Sequence, residues 1–485
     1  MNRHFTLAFC NMLALVGLLA FGRVVQADNT THRVENQLVV LGRSAELQQA
    51  IAPVSDQAEV VNGVELPWFQ LLPPASHPLA GQPDAQMVLL NIFDPTLTVE
   101  QALQQIAASG AFVFASPNWV TAAANVWYIE GAPSVPAVEI VSAEPLSSQI
   151  AFTQVGYTTS IAHTGDRVRI GVFDTSPFAG EGSFATTIDG LPLTAHHGYA
   201  LPDPSPVPTT TVIDEHGTAV MSLGGAVAPT ADYHLYRVLN NGGVGDVFTL
   251  NAALSSFIDA SLLALGGSID GAVINLSLVV HADPGDPVPP LDAVLSGADA
   301  AGIAIIGAAG NESDEGGALS PKVPASYPYV LAVSGVNSAD DRACFSHSGD
   351  IAGFSGETLT DGACAPPTMT QRIRTAATAD GVQLKWAGTS FATPLVAAGA
   401  ALLLDKFDGQ PVGGHVNDLL QQSARMANGN AILDLEAAVS SVPLVVSLMG
   451  IRLHVAPLNM TIIAFFSLAA MTIICVWKGK PSGSG

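Results

Sequence analysis

The chain has 485 residues, a formal net charge of −24, and 17 Lys and Arg against 41 Asp and Glu. A chain this acidic carries no basic patch to neutralise phosphates, which excludes nucleic acid as a partner. The length allows two or three domains, and apolar runs at both ends raise the hydrophobic content to 48%.

The first of those runs covers residues 5–21, after Arg3 and His4 and before the small residues around Val25-Gln26-Ala27. This pattern predicts a signal peptide over residues 1–27, with an uncleaved anchor as the competing reading. Residues 33–125 read as a small α+β unit. Strands are expected at 37–41, 87–93 and 111–115, and helices at 44–51 and 98–108, the second capped by Thr98. Residues 126–150 are rich in Ala, Pro, Ser and Glu and read as an exposed linker.

From about 151 to 440 the pattern changes. Short apolar runs at 168–173, 233–238, 272–278, 302–306 and 329–336 alternate with helical stretches at 216–226, 247–265, 290–301 and 390–407. This alternation predicts an α/β fold, a mostly parallel sheet covered by helices on both faces. In such sheets sites form at the carboxyl ends of strands. The chain closes with residues 457–477, 21 residues without a charge. That is enough to cross a bilayer of about 30 Å. It predicts a transmembrane helix with a short cytoplasmic tail at 478–485, or a sorting segment whose removal leaves a secreted protein. Of four cysteines, Cys10 and Cys475 lie in the terminal runs. Cys344 and Cys364 remain, and export makes a disulfide between them the expected state.

Five polar residues stand where the parallel sheet would expose them at one edge. Asp174 follows the first strand, His216 opens a helix, Ser277 ends a strand, and Asn311 follows a strand through Ala308-Ala309-Gly310. Ser390 starts an Ala/Leu-rich helix that is apolar on all sides and therefore buried; Pro394 is read in its first turn. Acyl transfer requires these groups: a hydroxyl nucleophile, an imidazole to take its proton, a carboxylate to orient the imidazole, and an amide for the oxyanion. Each alone has a plainer reading. Ser390 could be an N-cap, Asp174 and Asn311 turn residues, and His196 or His197 could serve in place of His216.

Taken together the motifs resemble those of the subtilisin-like serine peptidases, the subtilases. Ile170-Gly171-Val172-Phe173-Asp174-Thr175 is similar to the family's Asp motif and His216-Gly217-Thr218 to its His motif. Ala308-Ala309-Gly310-Asn311 resembles the oxyanion segment, and Gly388-Thr389-Ser390-Phe391-Ala392-Thr393-Pro394 the Ser motif. The resemblance implies a subtilisin-like fold and serine endopeptidase activity. It assigns Ser390 as nucleophile, His216 as general base, Asp174 as orienting carboxylate and Asn311 as oxyanion donor. Ser277, Leu278, Ala308, Ala309 and Gly310 are then substrate-binding, with extended protein or peptide substrates adding as a strand.

Residues 33–125, with Ala115-Ser116-Pro117-Asn118-Trp119-Val120 near their end, resemble the family's inhibitory propeptide, which implies a zymogen with its own propeptide as a partner; an unrelated small α+β domain is the competing reading. Val279 and Val280 depart from the family, which has glycines there, and Ser176 stands where a glycine is usual. β-Branched side chains at 279 and 280 are expected to hold a substrate backbone further off. The resemblance also brings in structural calcium, for which Asp283, Asp286, Asp314 and Glu315 are available. No loop has calcium-loop spacing, no other cofactor is implied, and solvated acidic loops are the competing reading. A second function of a different class stays open: a non-catalytic surface binding or inhibitory module on the same scaffold.

Overall fold

The computed structural model describes residues 33–43, 59–61, 64–66, 69–79, 82–92, 94–109, 114–123, 138–140, 146–175, 187–188, 191–197, 216–240, 243–282, 287–311, 319–356, 373–375, 383–408, 414–440, 445–448 and 451–454. The expected signal peptide, the helix at 44–51, Ser176 and the segment 457–477 lie outside them.

The N-terminal unit is built from β1 (Arg33–Arg43), β2 (Phe69–Leu79), β3 (Gln82–Ile92), helix α1 (Val99–Ser109) and β4 (Phe114–Ala123). Thr98 caps α1 in a reciprocal box: its Oγ1 accepts from Gln101 N at 3.2 Å, and its own N–H donates to Gln101 Oε1 at 3.0 Å. β1 and β3 bury both faces. Leu38, Val40, Val88 and Leu90 pack with Val99, Ala102 and Ile106 of α1. Val39, Leu41, Met87 and Leu89, one residue out of phase, join the main core of the chain. The sequence reading missed β2 because Pro73, Pro74 and Pro78 fall in it. Its position resolves the conflict: β2 is the edge strand of its sheet and pairs only with β3, where a missing N–H costs no ladder bond.

The stretch read as an exposed linker is partly ordered as strand. β5 (Val138–Ile140) lies inside it, and a short helix α2 (Ile150–Gln154) closes it. The body follows as β6 (Val168–Asp174), β7 (Leu191–His197), α3 (His216–Val227), β8 (Asp232–Arg237), β9 (Val244–Asp246), α4 (Val247–Ala264), β10 (Gly271–Leu276), β11 (Leu278–Val280), α5 (Pro289–Ala300), β12 (Ala304–Ala308), β13 (Leu331–Val336), β14 (Ile351–Phe354), β15 (Ile373–Thr375), β16 (Gln383–Trp386), α6 (Thr389–Lys406), α7 (Gly414–Ser423), β17 (Arg425–Ala427), β18 (Asn430–Ile432) and α8 (Leu435–Ser440).

The main sheet runs β17-β18-β14-β13-β12-β10-β6-β8-β7, with the two-residue strand Thr187–Ile188 at its far end. The strands from β14 to β7 pair in parallel. Every residue of β10, β12 and β13 is buried. Alternate residues of a strand face opposite ways, so both faces of the sheet are covered, as the continuous apolar runs predict. α6 supplies much of that cover: residues 389–404 are all buried, and it packs on β10, β12, β13 and α3. α4 is the one helix among the described residues long and apolar enough to cross a membrane. Most of it is buried and it packs against α5, so it reads as a core helix.

The run expected as one strand at 272–278 is two. β10 stays in the parallel sheet, the chain turns at Ser277, and β11 leaves to pair antiparallel with β4. β9 pairs with β4 along its other edge. The last residues of the N-terminal unit therefore lie between two strands of the body.

Candidate active site

Ser390 is the second residue of α6. The N-cap is Gly388, which makes no side-chain capping bond. The plain reading of Ser390 as the cap is thereby corrected. Gly388 has φ 148° and ψ 158°, a conformation open only to glycine, and its N–H donates to Ser355 O at 2.9 Å. Pro394 is also placed differently from expectation. It is the sixth residue of α6, inside the helix. Having no N–H, it cannot bond the carbonyl of Ser390 four residues back. Ser277 Oγ fills the vacancy, donating to Ser390 O at 2.9 Å. In return Ser390 Oγ donates to Ser277 O at 3.1 Å. Asn275 Nδ2 donates to Ser277 Oγ at 3.0 Å and completes the link.

Asp174 ends β6 and His216 begins α3. Their side chains are fully buried and meet with Nδ1 2.7 Å from Oδ1. A carboxylate only accepts, so Nδ1 is the donor and carries a proton. Nε2 has no hydrogen-bond partner among the described residues, so Ser390 Oγ is held by Ser277 and not by the imidazole. Asp174 is itself fixed. Its Oδ1 accepts from Thr175 N at 2.7 Å and its carbonyl from Val238 N and Leu239 N. The approach of α3 to β6 needs glycine at 217, where an added Cβ would lie 2.7 Å from Thr175 O.

Asn311 reaches the same point from the end of β12. Its Oδ1 accepts from Thr389 N at 2.9 Å, one of the N–H groups that a helix start leaves without an internal partner. That contact sets the orientation of the amide, because only oxygen can accept, and makes Nδ2 its donor end. Of the other expected residues, Leu278 pairs with Ala123. Ala308 packs on Val279. The carbonyls of Ala309 and Gly310 accept from Lys322 N and His347 N, so this segment is a fixed wall. Val279 and Val280 do not keep a strand away: they pair with Ala122 and Thr121, against the expectation from their branching.

Trp386 was not singled out in the sequence. It ends β16, is buried, and stands perpendicular to the His216 ring at 5.8 Å, while stacking on Phe391 at 5.4 Å. Phe391 also meets His216, at 5.2 Å. The available signal was an aromatic residue four positions before Ser390. β16 pairs with β15 and with β5, so the strand from the expected linker braces the strand that carries Trp386.

Two other residues missed in the sequence secure β4. Asn118 Nδ2 donates to Asp246 Oδ1 at 3.2 Å, and its Oδ1 accepts from Phe248 N at 3.2 Å. Asp246 is the N-cap of α4 and accepts from Thr249 N at 3.0 Å. Burial pushes its carboxyl above the ordinary carboxylate value, against the pull of these hydrogen bonds. Cys344 is disulfide-bonded; Cys364 lies outside the described residues, as do Asp283, Asp286, Asp314 and Glu315. Among the described residues no group of three or more His, Cys, Asp and Glu is placed to hold a metal.

The geometry joins an Asp–His pair, a serine at a buried helix start and an amide on one sheet edge. The family model described as the subtilase family matches residues 165–437. This chain belongs to the subtilase family. It is 31% identical to a subtilisin of Bacillus pumilus over 219 residues, 44% of this chain and 69% of that protein. It is also 31% identical to subtilisin E of Bacillus subtilis over 219 residues, covering 50% of the relative. The chain thus spans about half the length of several curated relatives it matches. Among solved structures, the nisin leader peptidase of Lactococcus lactis is 19% identical with a TM-score of 0.46, over 60% of this chain and 93% of the other. In this subtilase Asp174, His216 and Ser390 stand at the ends of β6, α3 and α6, and Asn311 three residues past β12.

Proposed function

We propose that this subtilase is a serine endopeptidase made as a zymogen, with residues 33–125 as its inhibitory propeptide. The observation that carries the reading is the seat of β4. Its last residue, Ala123, lies opposite Leu278, next to Ser277, whose carbonyl holds Ser390 Oγ. The residue after Ala123 on this line falls opposite Ser277, so an extended peptide laid along β9 and β11 brings that residue's carbonyl to the nucleophile.

Catalysis begins with rotation of Ser390 Oγ away from Ser277 O toward His216 Nε2. The imidazole takes the hydroxyl proton as Oγ bonds to the scissile carbonyl carbon. Asp174 stabilises the imidazolium, and Asn311 Nδ2 donates to the oxyanion. The C–N bond then breaks, the leaving amine takes the proton from His216, and an acyl-enzyme remains. Water repeats the sequence and releases the acid. The apolar runs at 1–27 and 457–477 support an exported protein tethered by a single span, with the body outside the membrane. Full-length protein tests the reading. A fluorophosphonate probe should label the wild type and not Ser390→Ala. Undiminished labelling of the variant would remove the assignment. A C-terminal tag that stays in the membrane fraction tests the tether.

A further inference from the structure

The pairing of β4 with β11 fixes which side chain of a bound peptide meets which wall. Val279 lies opposite Ala122, and Leu278 opposite Ala123. Directly opposed residues of an antiparallel pair point to the same face, and successive residues of one strand alternate. Ala122 and Val279 therefore share a face. A strand occupant carried one residue past Ala123 returns to that same face, and this residue lies closest to Ser277 and Ser390. Its carbonyl is the one attacked. On this face Val279 is buried and packs on Ala308, at the end of the segment that leads to Asn311. A large side chain on this face would have to pass the valine to reach Ala308.

We propose that this cleft selects peptides with an alanine-sized residue immediately before the cut bond, and that Val279 determines that preference. The proposal rests on the endopeptidase reading. The chain's own sequence fits it, since Ala122, Ala123 and Ala124 run consecutively at the end of the expected propeptide. Ala122, two residues earlier on the same face, is buried opposite Val279.

The test compares two chromogenic peptides, identical except for Ala or Phe before the reporter amide, on the full-length protein after processing. Wild type should favour Ala by about 100-fold or more in kcat/KM, the discrimination a filled pocket gives. Val279→Gly should cut that ratio by at least about tenfold, and Val279→Ala by less. Equal cleavage of the two peptides by wild type overturns the proposal, as does an unchanged ratio in both variants. A fluorophosphonate probe run in parallel separates the failures. Labelling of Ser390 without cleavage of the Ala peptide defeats the specificity and spares the hydrolase reading. Absence of both defeats both.

Discussion

Ser390 and Ser277 hold each other by two hydrogen bonds, Oγ of each donating to the backbone carbonyl of the other at 3.1 and 2.9 Å. Pro394 makes the second bond available because it has no N–H to offer the Ser390 carbonyl, and Asn275 orients Ser277. The result ties the turn between β10 and β11 to the first turn of α6. The strand that lines the cleft and the helix that carries the nucleophile are therefore set relative to each other by one residue.

Ser277→Ala should cost stability before it costs chemistry. It leaves the buried Asn275 amide and the Ser390 carbonyl each short of a partner. Stranding buried polar groups costs about 1–3 kcal/mol. Urea unfolding of the Ser390→Ala and Ser277→Ala/Ser390→Ala proteins measures this without self-digestion. A difference below about 0.5 kcal/mol would show that the link is not structural.

Asn311→Ala should lower kcat with little change in KM, because its Nδ2 is needed only when charge develops on the oxygen. The expected loss is roughly 10²–10³, the range measured for such an amide in a subtilisin and not one calculated from this structure. Steady-state kinetics on a peptide anilide checks it. A change confined to KM would place Asn311 in ground-state binding.

Trp386→Ala should cost about 3–5 kcal/mol, as for other buried aromatics, and release the His216 ring from one side. Trp386→Phe keeps an aromatic face and should recover most of kcat. The informative quantity is the split: a positioning role lowers kcat at nearly constant KM, and a purely structural role lowers only the amount of active protein found by active-site titration.

Asp246 gives the hold on β4 a pH dependence. Its carboxyl is raised by burial, and loss of β4, whose Val120 it pairs with, should let it return toward the ordinary value of about 3.9. Covering it therefore takes up a proton. Retention of the cut N-terminal fragment should be strongest below about pH 4 and weaken as pH rises from there to the covered value, then level off. Gel filtration of processed protein between pH 4 and 7 measures this, and Asp246→Asn should flatten the profile.

The parallel sheet was legible because its central strands are buried on both faces and so read as unbroken apolar runs. The Asp, His, Asn and Ser positions were legible because each sits at the end of such a run or the start of a helix. What escaped depends on pairing between distant segments. β2 carries three prolines and is a strand only because it lies at an edge. β5 has three residues and exists through its partner β16. Trp386 has no periodicity to mark it, and its role comes from where α3 puts His216. The expectation that Val279 and Val280 would hold a strand off failed because their side chains point to the faces of the sheet while the pairing runs along its edge. Pro394 was assigned to the first turn because helix starts are uncertain by a residue or two; its true place explains the Ser277 contact.

The seat of β4 also bears on solubility. Release of β4, under the zymogen proposal, would leave β9 and β11 each with a row of unpaired N–H and C=O groups facing a lane one strand wide. Such edges invite any extended chain, including a partly unfolded copy of the same protein. Each of the two strands is only three residues long, well short of the six or seven that seed stacked cross-β aggregates. The same brevity that would leave a bound peptide only a few hydrogen bonds should keep a cleft opened by loss of β4 from drawing its neighbours into fibres.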